Sequence, residues 1–222
     1  MNISVLEFFI ENLKIEEFEN KKTLEVGSKY VNGSVRSIIE KFFKLKKYVG
    51  TDIEEGKFVD IICNAENLID CFDKNSFDVV ISTELLEHVK DWRKVINNMK
   101  DVLKPNGYIY ITTRSKGFPF HAFPYDFWRY EIEDMKKIFA DFNIIKLQND
   151  PEAKGIFLKA QKPINYNLIN LEKIKLYSMI LGKRTNFTPN FNQISYFRKI
   201  KLFLYEFLKS FKNLANKLLQ LK

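Results

Sequence analysis

Two carboxylates and a histidine stand where this chain could do chemistry. Asp52 lies in the segment Val49-Gly50-Thr51-Asp52-Ile53. A carboxylate at the end of a strand can accept hydrogen bonds from both hydroxyls of a ribose, and charged acceptors make the stronger bonds. Upstream, Thr23-Leu24-Glu25-Val26-Gly27 ends in a glycine and is followed by Ser28 and Asn32-Gly33-Ser34. A glycine there lets a nucleotide approach the backbone closely. Later, His121 follows a predicted strand. An unperturbed histidine titrates near pH 6.5 and suits the role of base toward a hydroxyl nucleophile, with Asp126 as the second candidate. Each residue also has a plain structural reading. Asp52 could be a solvated acid at a strand end, and His121 a loop histidine with one structural hydrogen bond.

The elements that must position these groups follow from apolar spacing. Strands are expected at Lys22–Val26, Tyr48–Ile53, Val59–Cys63, Phe77–Ser82 and Tyr108–Thr113. Phe77-Asp78-Val79-Val80-Ile81 is almost continuously apolar, as in a strand buried on both faces of a parallel sheet. Helical periods occupy Val5–Phe18, Ser34–Phe43 and the stretch from Trp92 to Leu103, where Asp91 can cap and Pro105-Asn106-Gly107 can stop the helix. Strands alternating with helices imply right-handed crossovers and an open, doubly wound α/β sheet.

Between Phe118 and Tyr130, seven of thirteen residues are Phe, Tyr or Trp, against 15% for the chain. The segment could plug the core, or it could wall an acceptor pocket through Tyr125, Trp128 and Arg129. Cys63, Cys71, His88 and His121 lack the spacing of a metal site, so no metal is expected. His88 itself reads either as a residue facing the cleft or, more simply, as a surface or packing histidine.

The order of motifs resembles the class I S-adenosylmethionine-dependent methyltransferases. The matching pieces are Leu24-Glu25-Val26-Gly27, Val49-Gly50-Thr51-Asp52, Asn64-Ala65-Glu66, Ser76-Phe77-Asp78-Val79-Val80, Leu86-Glu87-His88-Val89 and Leu103-Lys104-Pro105-Asn106-Gly107. They cover residues 23 to about 145. Gly27-Ser28 with Asn32-Gly33-Ser34-Val35-Arg36, and Phe123-Pro124-Tyr125-Asp126-Phe127-Trp128-Arg129, look like a small-molecule or glycan branch of that family. Lys29 and Val31 stand where the family often has further glycines, and Asn64 where many members have aspartate.

The resemblance implies a Rossmann-like, mostly parallel seven-stranded sheet with helices on both faces, and S-adenosyl-L-methionine as cofactor. It implies that Glu25, Gly27, Ser28 and Gly33 shape the turn at the methionine part, and that Asp52 with Ile53 holds the nucleoside. Asn64 with the Ala65 backbone would read adenine, and Glu84 would lie beneath the cofactor. A hydroxyl or amine of a small molecule, sugar or lipid-linked saccharide is the implied acceptor. The alternatives are methylation of RNA or protein, and a non-catalytic nucleotide-binding scaffold.

Composition narrows the partners. The 222 residues carry a formal charge of +8. Residues 163–222 hold eleven Lys or Arg against Glu172 and Glu206, a balance of +9 that leaves −1 for the rest. A nearly neutral main domain argues against a nucleic-acid groove. We expect a methyltransferase-like domain over 1–162 and a basic extension over 163–222, built of helices at Asn165–Leu181 and Tyr196–Leu221. The last helix would set Phe197, Ile200, Leu204, Phe207, Phe211, Leu214 and Leu218 beside its lysines. Such a helix could lie on an anionic membrane, or pack on the domain or a second subunit. Two cysteines exclude a disulfide framework. With no apolar run long enough to span a bilayer, a cytoplasmic chain with a membrane-associating tail is expected.

Overall fold

Phe77–Thr83 forms the middle strand of a seven-stranded sheet and is buried almost throughout. The computed structural model describes residues 2–121, 125–188, 190 and six residues between 199 and 208. In chain order the elements are α1 (Ile3–Asn12), α2 (Ile15–Phe18), β1 (Lys22–Val26), α3 (Arg36–Phe42), β2 (Lys47–Asp52), β3 (Ile61–Ile62), a 3-10 turn (Ala65–Asn67) and α4 (Leu68–Cys71). There follow β4 (Phe77–Thr83), α5 (Trp92–Val102), β5 (Leu103–Arg114), β6 (Trp128–Arg129), α6 (Ile132–Ile138), β7 (Asn143–Asn149), β8 (Gly155–Gln161), β9 (Leu176–Ser178) and β10 (Lys183–Thr185).

The sheet order is β3-β2-β1-β4-β5-β8-β7. Strands β3 to β5 run parallel, while β8 is antiparallel to both β5 and β7. The strand order reverses between β1 and β4, and a crevice for a ligand opens beyond the carboxyl ends at such a switch point. The alternation along β4 feeds two cores. Val80 joins Trp92, Ile96, Met99 and Met135 on one face, while Val79 and Ile81 join Phe8, Phe9, Phe18 and Ile39 on the other. Asp91 caps α5, its Oδ1 accepting the Lys94 N–H at 3.2 Å. The expected single helix over Val5–Phe18 is broken at Leu13, which is extended, and forms α1 and α2.

The region after Lys162 departs most from expectation. Asn165–Leu181 is not a helix. Its end forms β9, which pairs with β6 and β10 in a second, three-stranded sheet. The burial of Leu176, Ser178 and Ile180 has a period of two. Pairing of Tyr177 and Ser178 with Arg129 and Trp128 decides the backbone there, since tertiary partners override helix propensity. Leu171, Leu176 and Ile180 belong to the main core, and Arg93 donates to the carbonyls of Leu171 and Ile174 at 3.0 and 2.6 Å. The chain therefore stays on the main body through Thr185. Of the last expected helix, Lys199, Ile200, Phe203, Leu204, Phe207 and Leu208 are helical, and the apolar ones among them are exposed. The rest of that helix lies outside the described residues. No described helix is long and apolar enough to cross a membrane.

Cys63 and Cys71 form a disulfide with a Cα–Cα distance of 6.6 Å. The cysteine count excluded a framework, and this single local bond, closing a separation of eight residues, was not expected.

Candidate active site

The cleft is built around Gly27, the first residue after β1. Its φ is +80°, a left-handed value that side chains disfavour. A Cβ there would lie 3.0 to 3.1 Å from three atoms of Leu85, which follows β4 across the switch point. The missing side chain lets Leu85 approach the turn this closely. The N–H groups of Gly27 and Ser28 both donate to the Thr51 carbonyl, at 2.8 and 2.9 Å, tying this turn to the end of β2.

Two adjoining cavities share Gly27, Asp52, Ile53, Leu85 and His88. One, of about 340 Å³, is mostly apolar, lined by Ile53, Ala65, Leu85, Val89 and Phe127 with Asn64, Glu66 and Tyr125. The other, of about 500 Å³, contains Glu25, Ser28, Gly33, Glu84, Arg114 and His121. Asp52 stands at their junction and is half-buried. Its oxygens accept only long bonds, from Lys29 N at 3.2 Å and Glu54 N at 3.4 Å, leaving acceptor capacity for hydroxyls. Ile53 is 64% exposed beside it, an apolar plate on which a base could rest.

The other expected cofactor residues fall at the same cleft with varied employment. Ser28 Oγ donates to the Phe58 carbonyl at 2.8 Å, so its hydroxyl serves the turn. Asn64 Oδ1 accepts the Glu66 N–H at 2.9 Å and caps the 3-10 turn. Asn98 Nδ2 holds the Ala65 and Glu66 carbonyls at 3.1 and 2.9 Å.

The larger cavity is acidic. Glu25 is buried, and its Oε2 accepts the Tyr48 hydroxyl at 2.9 Å. Burial pushes its carboxyl up to about 7, against the lowering effects of Tyr48 and Arg36. Glu84 follows β4 with a positive φ of 54°, strained for a non-glycine residue. Burial and then the charge of Glu87 raise its carboxyl to about 7, opposed by its ion pair with Arg114. Arg114 also lies 4.0 Å from Glu87 and 3.7 Å from Asp150.

His121 and His88 close this end, their rings 4.7 Å apart and edge to face. His121 Nδ1 is 3.2 Å from Asp126 Oδ2. His88 Nδ1 lies 2.6 Å from the Tyr125 carbonyl. A carbonyl only accepts, so His88 Nδ1 carries the hydrogen.

Asp126, Arg129 and Trp128 depart from the roles the sequence suggested. Asp126 is fully buried and held by Arg129 through both oxygens. Burial would raise its carboxyl, but hydrogen bonds from Arg129 and His121 outweigh this and hold it low. It is thus a partner for His121 and not a second base open to an acceptor. Arg129 is fully buried too, donating also to the Phe118, Pro119 and Trp128 carbonyls. Trp128 is buried in the core with Nε1 donating to the Lys90 carbonyl at 3.1 Å. Neither touches the cleft. The aromatic segment is largely a plug, and among its described aromatic residues Tyr125, 65% exposed, and the buried Phe127 reach the cavity wall. Ala122, Phe123 and Pro124 lie outside the described residues.

Glu87, His88 and Arg114 were not assigned site roles from sequence. For the first two the local signal is the motif Leu86-Glu87-His88-Val89. Arg114 had none beyond its place at the end of a strand.

Residues 24–111 match the family model described as a methyltransferase domain. Over 66 residues the chain is 38% identical to the ubiquinone biosynthesis O-methyltransferase of Haemophilus ducreyi (strain 35000HP / ATCC 700724), a match covering 30% of this chain and 24% of that protein. The chain thus spans about a quarter of the length of that curated relative. An S-adenosylmethionine-dependent methyltransferase from Mesorhizobium loti superposes with a TM-score of 0.55 at 14% identity, covering 72% of this chain and 98% of the other. The Burkholderia thailandensis 1,6-didemethyltoxoflavin-N1-methyltransferase, whose structure holds S-adenosylhomocysteine, superposes with a TM-score of 0.51 at 13% identity, covering 72% and 76%. At such identities the superpositions show the fold. They agree with the methyltransferase-domain match over residues 24–111, which lies within the superposed sheet.

Proposed function

We propose that the protein is an S-adenosylmethionine-dependent methyltransferase acting on a hydroxyl or amine of a small molecule, sugar or lipid-linked saccharide. The supporting observation is convergence: Gly27, Asp52 and Glu84, from the ends of β1, β2 and β4, line one cleft together with His121. The turn at Gly27 leaves no room for a side chain beside Leu85, and such a bare turn at a strand end suits close approach of a nucleotide to the backbone. When bound, S-adenosylmethionine supplies a methyl group on a sulfonium, already a good leaving group. Asp52 accepts from the ribose, Ile53 and the apolar cavity take the adenine, and Glu25 and Glu84 face the cationic end. Much of the rate then comes from in-line placement of the acceptor. For a hydroxyl acceptor, His121 takes the proton, with its ring oriented by Asp126.

The basic extension places the enzyme at an anionic surface in this reading. Ile200, Phe203, Leu204, Phe207 and Leu208 are exposed and fall among the lysines of the +9 segment. A panel of hydroxylated and aminated acceptors incubated with methyl-labelled cofactor tests the proposal. Transfer to at least one such acceptor, with transfer to RNA and protein at background, supports it. Preferred labelling of RNA or protein contradicts the acceptor class.

A further inference from the structure

Glu87, His88 and His121 come together although 33 residues separate the two histidines in sequence. One donor atom from each lies within 4.8 Å of the others. Glu87 is fully buried, and its two oxygens are used unequally. Oε2 accepts the Thr113 hydroxyl at 2.9 Å, whereas Oε1 has no hydrogen-bond partner among the described residues. Oε1 lies 3.9 Å from His88 Nε2.

His88 is held at Nδ1 by a carbonyl, and His121 Nδ1 faces a buried carboxylate 3.2 Å away. This leaves each Nε2 with a lone pair. A histidine whose other nitrogen is fixed by a carbonyl or carboxylate is the usual form of a metal ligand. The charge balance points the same way. Glu84, Glu87 and Asp150 surround the single guanidinium of Arg114, so this buried group has more anion than cation.

We propose that Glu87, His88 and His121 bind a first-row transition-metal dication at the acceptor end of the cleft. Two imidazoles and one carboxylate are a donor set for zinc and its neighbours that keeps coordination positions open. Ligands about 2.0–2.2 Å from a tetrahedral ion lie about 3.3–3.6 Å apart, so from a spread of up to 4.8 Å the widest pair closes by about 1.2–1.5 Å. The two histidine side chains are 25% and 27% exposed and have room to turn. The open positions face the cavity shared with Glu84 and Arg114, where an oxygen of the acceptor can complete the coordination. That last use rests on the methyltransferase reading; the binding of the ion does not. With the ion in place, His121 acts as its ligand in place of a base, and the cation orients the acceptor oxygen.

The test uses the full chain without a histidine tag, loaded with Zn²⁺ or Co²⁺ and freed of excess ion. Elemental analysis should find one equivalent in the wild type, and Co²⁺ should give visible d–d absorption. H88A and the isosteric E87Q should each lower the affinity at least tenfold. D52A should keep the ion while losing affinity for S-adenosylhomocysteine. A folded wild type that retains no ion, or H88A and E87Q that retain as much as the wild type, would overturn the proposal. Ion binding by a wild type that ignores the cofactor would leave this site standing and remove the methyltransferase reading instead.

Discussion

One oxygen of Asp126 serves His121 twice: Oδ2 accepts the His121 backbone N–H at 2.8 Å and faces its Nδ1 at 3.2 Å. Arg129 grips the same carboxylate at both oxygens from within the core. The backbone of this segment is held in turn by Met179, whose N–H donates to the Phe127 carbonyl at 2.8 Å. The loop carrying His121 is thus positioned by residues from beyond the expected domain boundary.

Replacing His121 with alanine should lower turnover on a hydroxyl acceptor roughly 10²–10⁴-fold while leaving cofactor affinity nearly unchanged. Steady-state kinetics with parallel calorimetry reads both quantities. Equal losses of the two would return His121 to a structural role.

Asp126→Ala acts through a different link. It leaves the fully buried Arg129 guanidinium without its partner, and breaking such a pair costs about 3–5 kcal/mol. Urea unfolding should show that loss, and a change below about 1 kcal/mol would mean that the pair is not the anchor of the loop.

Glu25 gives a pH signature. Its folded pKa, about 7, lies above its ordinary value of 4.5 because burial penalises the charge. The folded state therefore binds the proton more tightly than the unfolded chain. This contribution to stability is fully present below 4.5 and is lost as pH rises through 7, amounting to about 3 kcal/mol at most. The stability difference between wild type and Glu25→Gln should shift against the wild type between pH 5 and 8. Cofactor binding near pH 6.5 should also release more proton in the wild type than in Glu25→Gln, where Glu84 alone remains to lose one, as read by calorimetry in buffers of different ionisation enthalpy.

Much of this fold was legible because its signals are local. The apolar run of β4, the Asp91 cap and the Gly27 and Asp52 strand ends each lie within a few residues. What escaped depended on distance. Glu87-His88 and His121 meet only because the loops after β4 and β5 lie side by side. Leu171–Ile180 has apolar residues that serve a helical or a strand-like spacing, and pairing with Trp128 and Arg129 chose the strand. The polar ends of Trp128 and Arg129 suggested an acceptor wall, yet backbone carbonyls and Asp126 in the core occupy them.

The packing of Leu171, Leu176 and Ile180 in the main core decides what truncation should do. A chain stopped after Lys162 loses β9 and β10, leaves Trp128 without its covering strand, and should unfold well below the parent in a thermal melt. A chain stopped after Thr188 should keep its stability and cofactor affinity while losing binding to anionic vesicles. That binding should weaken with salt in the full chain, because lysines near such a surface contribute about 1 kcal/mol each. Full-chain protein that ignores the vesicles would end the membrane reading.

The most direct measurement is calorimetric titration of the folded chain with S-adenosylhomocysteine, alongside Asp52→Ala and Gly27→Val. The account predicts one site per chain, affinity weakened by about 1.5–3 kcal/mol when the Asp52 hydrogen bonds are lost, and no binding once a side chain at Gly27 meets Leu85. A folded wild type that binds neither S-adenosylhomocysteine nor S-adenosylmethionine would contradict it.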